Sequence, residues 1–84
     1  MSNLETTAGT FIVNDTVEKT IDFQAIVALE DTIFTSIKIS GSDVKDNYIS
    51  NSAAAIKAGS IINPALGVNF SGIQLTSGSV AIIL

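Results

Sequence analysis

General acid–base and nucleophilic catalysis draw on His, Cys, Asp, Glu and Lys held within reach of one another. This 84-residue chain has neither His nor Cys, which removes most such constellations and the usual Cys/His zinc site. What remains is sparse. Lys38 and Ser40 make a formal Ser–Lys pair. At i and i+2 on a strand they share one face, as residues of a solvated strand surface do. Glu30-Asp31 is a carboxylate pair in sequence only, because adjacent residues at a turn diverge. It reads as a polar corner between buried strands, or as acids that blunt a sheet edge. Ser42, Asp43, Asp46 and Asn47 form the one oxygen-rich cluster. Their spacing lacks the alternating ligands and terminal Glu of an EF-hand, so they read as a polar loop. Gly41-Ser42 and Gly72 belong to no phosphate-binding glycine motif. Asn14-Asp15-Thr16 and Asn69-Phe70-Ser71 match the glycosylation triplet, by chance in a chain without a signal peptide. The expectation is a protein that is not an enzyme, with no catalytic residue, cofactor or metal.

Composition points to assembly. With 84 residues the chain is one domain, of a size that generally needs a staple. Disulfides are excluded by the missing Cys, which leaves an idealised core or oligomerisation. Hydrophobic residues make up 46% and charged residues 14%, too apolar for a small monomer unless copies cover part of its surface. Net charge is −4, with four Lys and no Arg. Nucleic-acid binding needs a basic stripe to displace phosphate counterions, and membrane-surface binding needs basic residues too, so neither is expected. Residues 1–9 lack the basic and apolar regions of a signal peptide. The longest apolar runs, Ala25 to Leu29 and Val80 to Leu84, are too short to cross a bilayer.

The elements follow from Ile, Val and Thr, which are stiff at χ1 and suit pleated surfaces. Ser2 to Gly9 reads as a flexible or docking arm, and residues 10–84 as one β domain. Thr10 to Val13 is a short strand, and Asn14-Asp15 a two-residue hairpin turn. Val17 to Phe23 alternates with period two, a half-buried strand. Ala25 to Leu29 is an unbroken apolar run, a strand buried on both faces. Thr32 to Ser40 is the longest strand, with Ile33, Thr35, Ile37 and Ile39 on one face. Gly41 to Asn47 is a loop, Tyr48-Ile49 opens a short strand, and Ser52 to Ala58 has some helical propensity ahead of Gly59, with a loop or a short strand equally compatible. Ser60 to Ile62 is strand, Asn63-Pro64 a turn, and Phe70 to Thr76 pairs with Ser79 to Leu84 as a hairpin across Ser77-Gly78. Short strands between turns predict an all-β fold, a small antiparallel β-sandwich or barrel.

Two stretches carry a resemblance. Phe23 to Ile37 contains Leu29-Glu30-Asp31-Thr32; Ile56 to Ile61 and Phe70 to Leu84 contain Ala58-Gly59 and Leu75-Thr76-Ser77-Gly78. In that order they resemble small virion proteins of tailed bacteriophages, of the capsid-decoration or head-fibre type. The resemblance spans most of residues 23–84 and implies a multi-copy β module, assembled as a homotrimer. Its partners would be its own copies and the major capsid protein or another virion protein. It would be made in the host cytoplasm and sit on the particle surface. It also implies that Glu30-Asp31-Thr32, Gly59 and Ser77-Gly78 are architectural, that the arm contacts the capsid, and that the loop from Gly41 to Asn47 faces outward. A carbohydrate- or host-surface-binding β module is the alternative. Such a module presents aromatics for stacking, and Tyr48 is the only one placed in a loop.

Overall fold

The β-branched runs become seven strands, and the computed structural model describes residues 9–84. In chain order they are β1 (Thr10–Val13), β2 (Ala25–Ala28), β3 (Ile33–Ile39), β4 (Ser42–Asp43), a single helical turn α1 (Lys45–Tyr48), β5 (Ile61–Ile62), β6 (Gly72–Ser77) and β7 (Val80–Ile83). They form two antiparallel sheets, so the all-β expectation holds. The first has the order β1-β7-β2-β5 and the second β4-β3-β6. The expected arm lies in residues 1–8, outside the described residues, and at Gly9, whose carbonyl accepts a hydrogen bond from the Leu84 amide.

The organising feature is a two-stranded ribbon folded across both sheets. Its two chains are β2–β3 and β6–β7. β2 pairs with β7 in the first sheet and β3 with β6 in the second. Both chains change sheets at the same place, around Glu30 to Thr32 and Ser77 to Ser79. The hairpin expected across Ser77-Gly78 is therefore an arch: β6 and β7 do not pair with each other. Corners of this kind are how strands pass between packed sheets. Hydrogen bonds hold it. The Leu29 amide donates to the Ser79 carbonyl at 3.0 Å. The buried Thr32 hydroxyl lies 2.8 Å from the Glu30 carbonyl and 3.2 Å from that of Ser79. Ser79 Oγ donates to Glu30 Oε2 at 2.6 Å. Thr32 and Ile56 exchange both backbone bonds, at 2.9 and 2.7 Å, and Asp31 Oδ1 accepts from the Ala58 amide. Glu30, Asp31 and Thr32 are thus corner-builders, and Gly78 is packed into the same corner.

The core lies between the sheets. Val13, Ile26, Val80 and Ile82 enter it from the first sheet, and Phe34, Ile37, Ile73 and Leu75 from the second. Phe23 and Phe70 close one end, with rings 5.1 Å apart and Tyr48 edge-on to Phe70.

Several local expectations are corrected. Asn14-Asp15 is not a hairpin turn, because β1 pairs with β7 instead. Asp15 accepts from the Val17 amide, and that bond, aided by the Lys19 ammonium, holds its carboxyl below the usual range. Val17 to Phe23 forms no strand. It touches the second sheet through a Lys19–Ile73 bridge and meets Phe70 at Phe23, although Ile21 and Phe23 do face inward. The expected loop from Gly41 begins with a tight hairpin. Ser40 and Gly41 take positive φ, 52° and 82°, the pattern of a two-residue turn between β3 and β4. Tyr48 ends α1 and opens no strand, while Ser52 to Ala58 takes the loop alternative, as a series of turns. The turn expected at Asn63-Pro64 falls later, at Leu66-Gly67.

Period two also fails along β3. Phe34 and Ile37, of opposite parity, are both buried. The register explains it: Thr35 is an extra residue on β3, and Thr76 one on β6, so two bulges face each other. Their hydroxyls lie 2.7 Å apart. Next to them Ser36 Oγ is buried with no hydrogen-bond partner among the described residues.

Candidate functional site

Register decides which side chains share a face. In the first sheet Phe11, Val13, Val80, Ile82, Ile26, Ala28 and Ile62 share the side toward the core. The other side is set by the same pairings. Ile12 stands beside Ala81, Ala81 beside Val27, and Val27 beside Ile61, one row across all four strands. A second row runs Thr10, Ile83, Ala25. Leu29 extends the outward parity of β2 by one residue, because its amide continues the pairing to Ser79.

This outer face is apolar throughout. No residue of the four strands carries a charge, and Thr10 is the only one with a polar side chain. Ile12 is 48% exposed, Leu29 49% and Ile61 62%. Full burial of an Ile or Leu side chain gains about 1.5–3 kcal/mol over leaving it in water, so each exposed one forgoes much of that. The outer face of the second sheet is of the ordinary kind. Ser36, Lys38, Gln74 and Asp43 share it by register. Lys38 pairs there with Glu18, and Gln74 Nε2 donates to the Thr16 carbonyl. One sheet is finished for water and the other is not.

Edges add to this. β1 is the outermost strand of its sheet. The Leu84–Gly9 bond fixes the alternation, so the backbone groups of Thr10 and Ile12 point away from β7. Natural edges are usually blunted by charge, Pro or a bulge. β1, with sequence TFIV, has no charged residue and no Pro.

The residues first considered for chemistry lie elsewhere. Lys38 and Ser40 both border an open cleft of about 510 Å³, with Glu18, Asp22 and Ser71. Among the described residues no hydrogen bond joins Lys38 to Ser40, and the Lys38 ammonium is held by Glu18. Glu30 and Asp31 diverge into separate bonds at the corner, with Ser79 and Ala58. Asp43 spends both oxygens on its own chain: Oδ1 accepts from the Ile37 and Lys45 amides, Oδ2 from the Lys45 ammonium. Among the described residues no group of three or more Asp or Glu is placed to hold a metal. The Tyr48 ring packs edge-on to Phe70, and its hydroxyl accepts from the Ala65 amide at 3.0 Å, so the side chain is engaged with its own chain.

No protein-family model, curated protein or solved structure matches this chain. What the surface can do follows from its chemistry: a neutral, apolar face and an open strand edge suit contact with another apolar protein surface.

Asp43 has a testable structural role. Partial burial raises its pKa, but the Lys45 and Ile37 amides and the Lys45 ammonium outweigh that and hold it below its ordinary 3.8. A folded pKa below the unfolded one contributes stability above the ordinary carboxylate range and loses it as pH falls through the folded value. Asp43→Ala is expected to cost about 1 kcal/mol at pH 7, the usual net worth of a side-chain hydrogen bond. Asp43→Asn keeps an acceptor and costs less. Urea melts at pH 7 and pH 3 are expected to differ less for Asp43→Asn than for the wild type.

Proposed function

We propose that the chain is a structural virion protein, a capsid-decoration or head-fibre module carried in many copies on a tailed-phage particle. In this reading it assembles as a homotrimer and attaches to the major capsid protein or another virion protein. It performs no catalysis and binds neither nucleic acid nor membrane. The observation that carries the reading is the charge-free outer face of the β1-β7-β2-β5 sheet on a chain of net charge −4. A lone soluble copy would leave that face in water; a protein that lives in an assembly covers it. The order of Leu29-Glu30-Asp31-Thr32, Ala58-Gly59 and Ser77-Gly78 along the chain points to the phage particle. All three motifs fall at turns, and the first and last meet at the corner, in keeping with the architectural role the resemblance gives them.

Two measurements test the reading. Light scattering of the purified chain is expected to give three times the mass of one copy at micromolar concentration. Mixed with particles that lack this protein, the chain is expected to co-sediment with them at saturable stoichiometry. A monodisperse monomer that stays in the supernatant would count against both halves.

A further inference from the structure

We propose that the outer face of the β1-β7-β2-β5 sheet is the contact between copies of this chain, so its occupant is a second copy and not the particle. The proposal rests on the multi-copy reading above and names the surface that reading leaves open.

Three observations bear on this contact, and the second of them selects the occupant. The first is the pattern of β2 and β7. Their sequences, AIVA and VAII, are unbroken apolar runs, as strands covered on both faces have. Among the described residues the core side is covered by Ile37, Ile73 and Leu75 across the interior, while on the outer side Ala81 alone is buried, at 8% exposure, between Ile12 and Val27. The β3 and β6 strands, whose outer face meets water, carry Lys38 and Gln74 there. The composition of β2 and β7 therefore asks for a second layer that the described residues do not supply.

The second is charge. In a symmetric assembly a residue near the axis meets its own copies, so any charge there faces a like charge. On a chain of net charge −4, the β1-β7-β2-β5 sheet is a surface where self-contact brings no acid against an acid. The same neutrality gives a charged partner nothing to pair with.

The third is continuity. Ile12 belongs both to the apolar row and to β1, whose outward backbone groups have no partner among the described residues. Face and edge are one surface, and a copy approaching the row also comes within reach of the edge.

The absence of Cys makes the test clean, because a single introduced thiol is the only one in the chain. Ile12→Cys and Ile61→Cys lie on the row at positions 48% and 62% exposed, so the smaller side chain leaves the core intact. Val17→Cys is the control, 61% exposed and outside the sheet. Maleimide labelling of the free protein is expected to be at least tenfold slower at Ile12→Cys and Ile61→Cys than at Val17→Cys. The rates should converge on dilution. Ile61→Lys is expected to reduce the scattering mass to one copy with an unchanged circular dichroism spectrum.

Equal labelling rates in a protein that scatters as an oligomer would overturn the proposal and leave the virion reading standing. A wild-type monomer would overturn it as well. Protection independent of dilution and lost on deleting residues 2–8 would give the face to the chain's own N-terminus. Protection that arises only on adding particles would give it to a virion partner. Protection by dilution-sensitive self-contact, in a chain that fails to bind particles, upholds the interface while removing the phage assignment.

Discussion

Gly78→Ala is expected to cost about 4 kcal/mol or more, a large share of the roughly 5–15 kcal/mol that holds a domain folded. Two effects add. Gly78 has φ +93°, a region that L side chains rarely adopt, and forcing one there costs about 1–3 kcal/mol. A Cβ at this position would also sit 2.5 Å from Thr32 Oγ1, 2.6 Å from the Asp31 carbonyl oxygen and 2.7 Å from Thr32 Cα. Two of those three atoms are backbone, so no rotamer change makes room. The corner would have to open, and with it the bonds from Leu29 and Thr32 to Ser79. Gly41→Ala separates the two effects. Its φ is +82° but nothing lies within 4 Å, so it carries the conformational term alone, about 1–2 kcal/mol. Urea denaturation followed by circular dichroism compares the two. A Gly78→Ala loss no larger than that of Gly41→Ala would mean that the corner yields easily.

That glycine also shows where sequence reading stops. Ser77-Gly78 between two alternating apolar runs has the pattern of a hairpin, and locally it is a turn. Whether the runs then pair with each other depends on what the turn packs against. Here it is Thr32, some 45 residues earlier in the chain, a distance over which no local pattern carries information. Most of the strands were legible, although Val17 to Phe23 forms none and β4 lies within the expected loop. Thr10–Val13 has the expected bounds, β3 lies within the expected Thr32 to Ser40, and Ile61–Ile62 within Ser60 to Ile62. Faces were legible only where pairing was regular. Along β3 the inserted Thr35 moves Phe34 and Ile37 onto one side, and its need is set by Thr76 on the neighbouring strand. The short helical turn at Lys45 is preceded by Asp43, which accepts the Lys45 amide, a side-chain bond that residue spacing alone does not reveal. The candidate surface was half legible. The run Ala25 to Leu29 reads as doubly buried, and the structure leaves one side open, with Leu29 itself exposed. Membership of Ile12 and Ile61 in the same row is a property of register, seen only once β1, β7, β2 and β5 are aligned.

Phe70→Ala is expected to cost about 3–5 kcal/mol, the range for removing a fully buried aromatic ring. Phe70 has no exposed surface. It is also a junction of three segments that are not joined by any strand ladder. Its backbone exchanges two hydrogen bonds with Phe23, at 3.0 and 2.9 Å, the attachment point of the irregular chain from Asn14 to Gln24. Its ring lies 5.1 Å from that of Phe23, and the Tyr48 ring meets it edge-on at 5.4 Å. Tyr48 in turn holds the Asn63 to Asn69 loop through the Ala65 amide. Removing the ring therefore leaves a cavity and loosens α1 and that loop together. Phe70→Leu refills much of the volume and forgoes the two aromatic contacts, worth about 0.5–1.5 kcal/mol each, so its expected loss is near 2 kcal/mol. Hydrogen exchange distinguishes the mechanisms. If Phe70 acts as this junction, Phe70→Leu should raise exchange at the Ala65 and Phe23 amides ahead of those in β2 and β7. A uniform rise across both sheets would mean that the ring supports only the common core. The aromatic end and the outer face of the β1-β7-β2-β5 sheet are separate features, so Phe70→Leu should leave the mass measured by light scattering unchanged. Ile61→Lys should do the reverse, changing the mass while sparing the Ala65 amide.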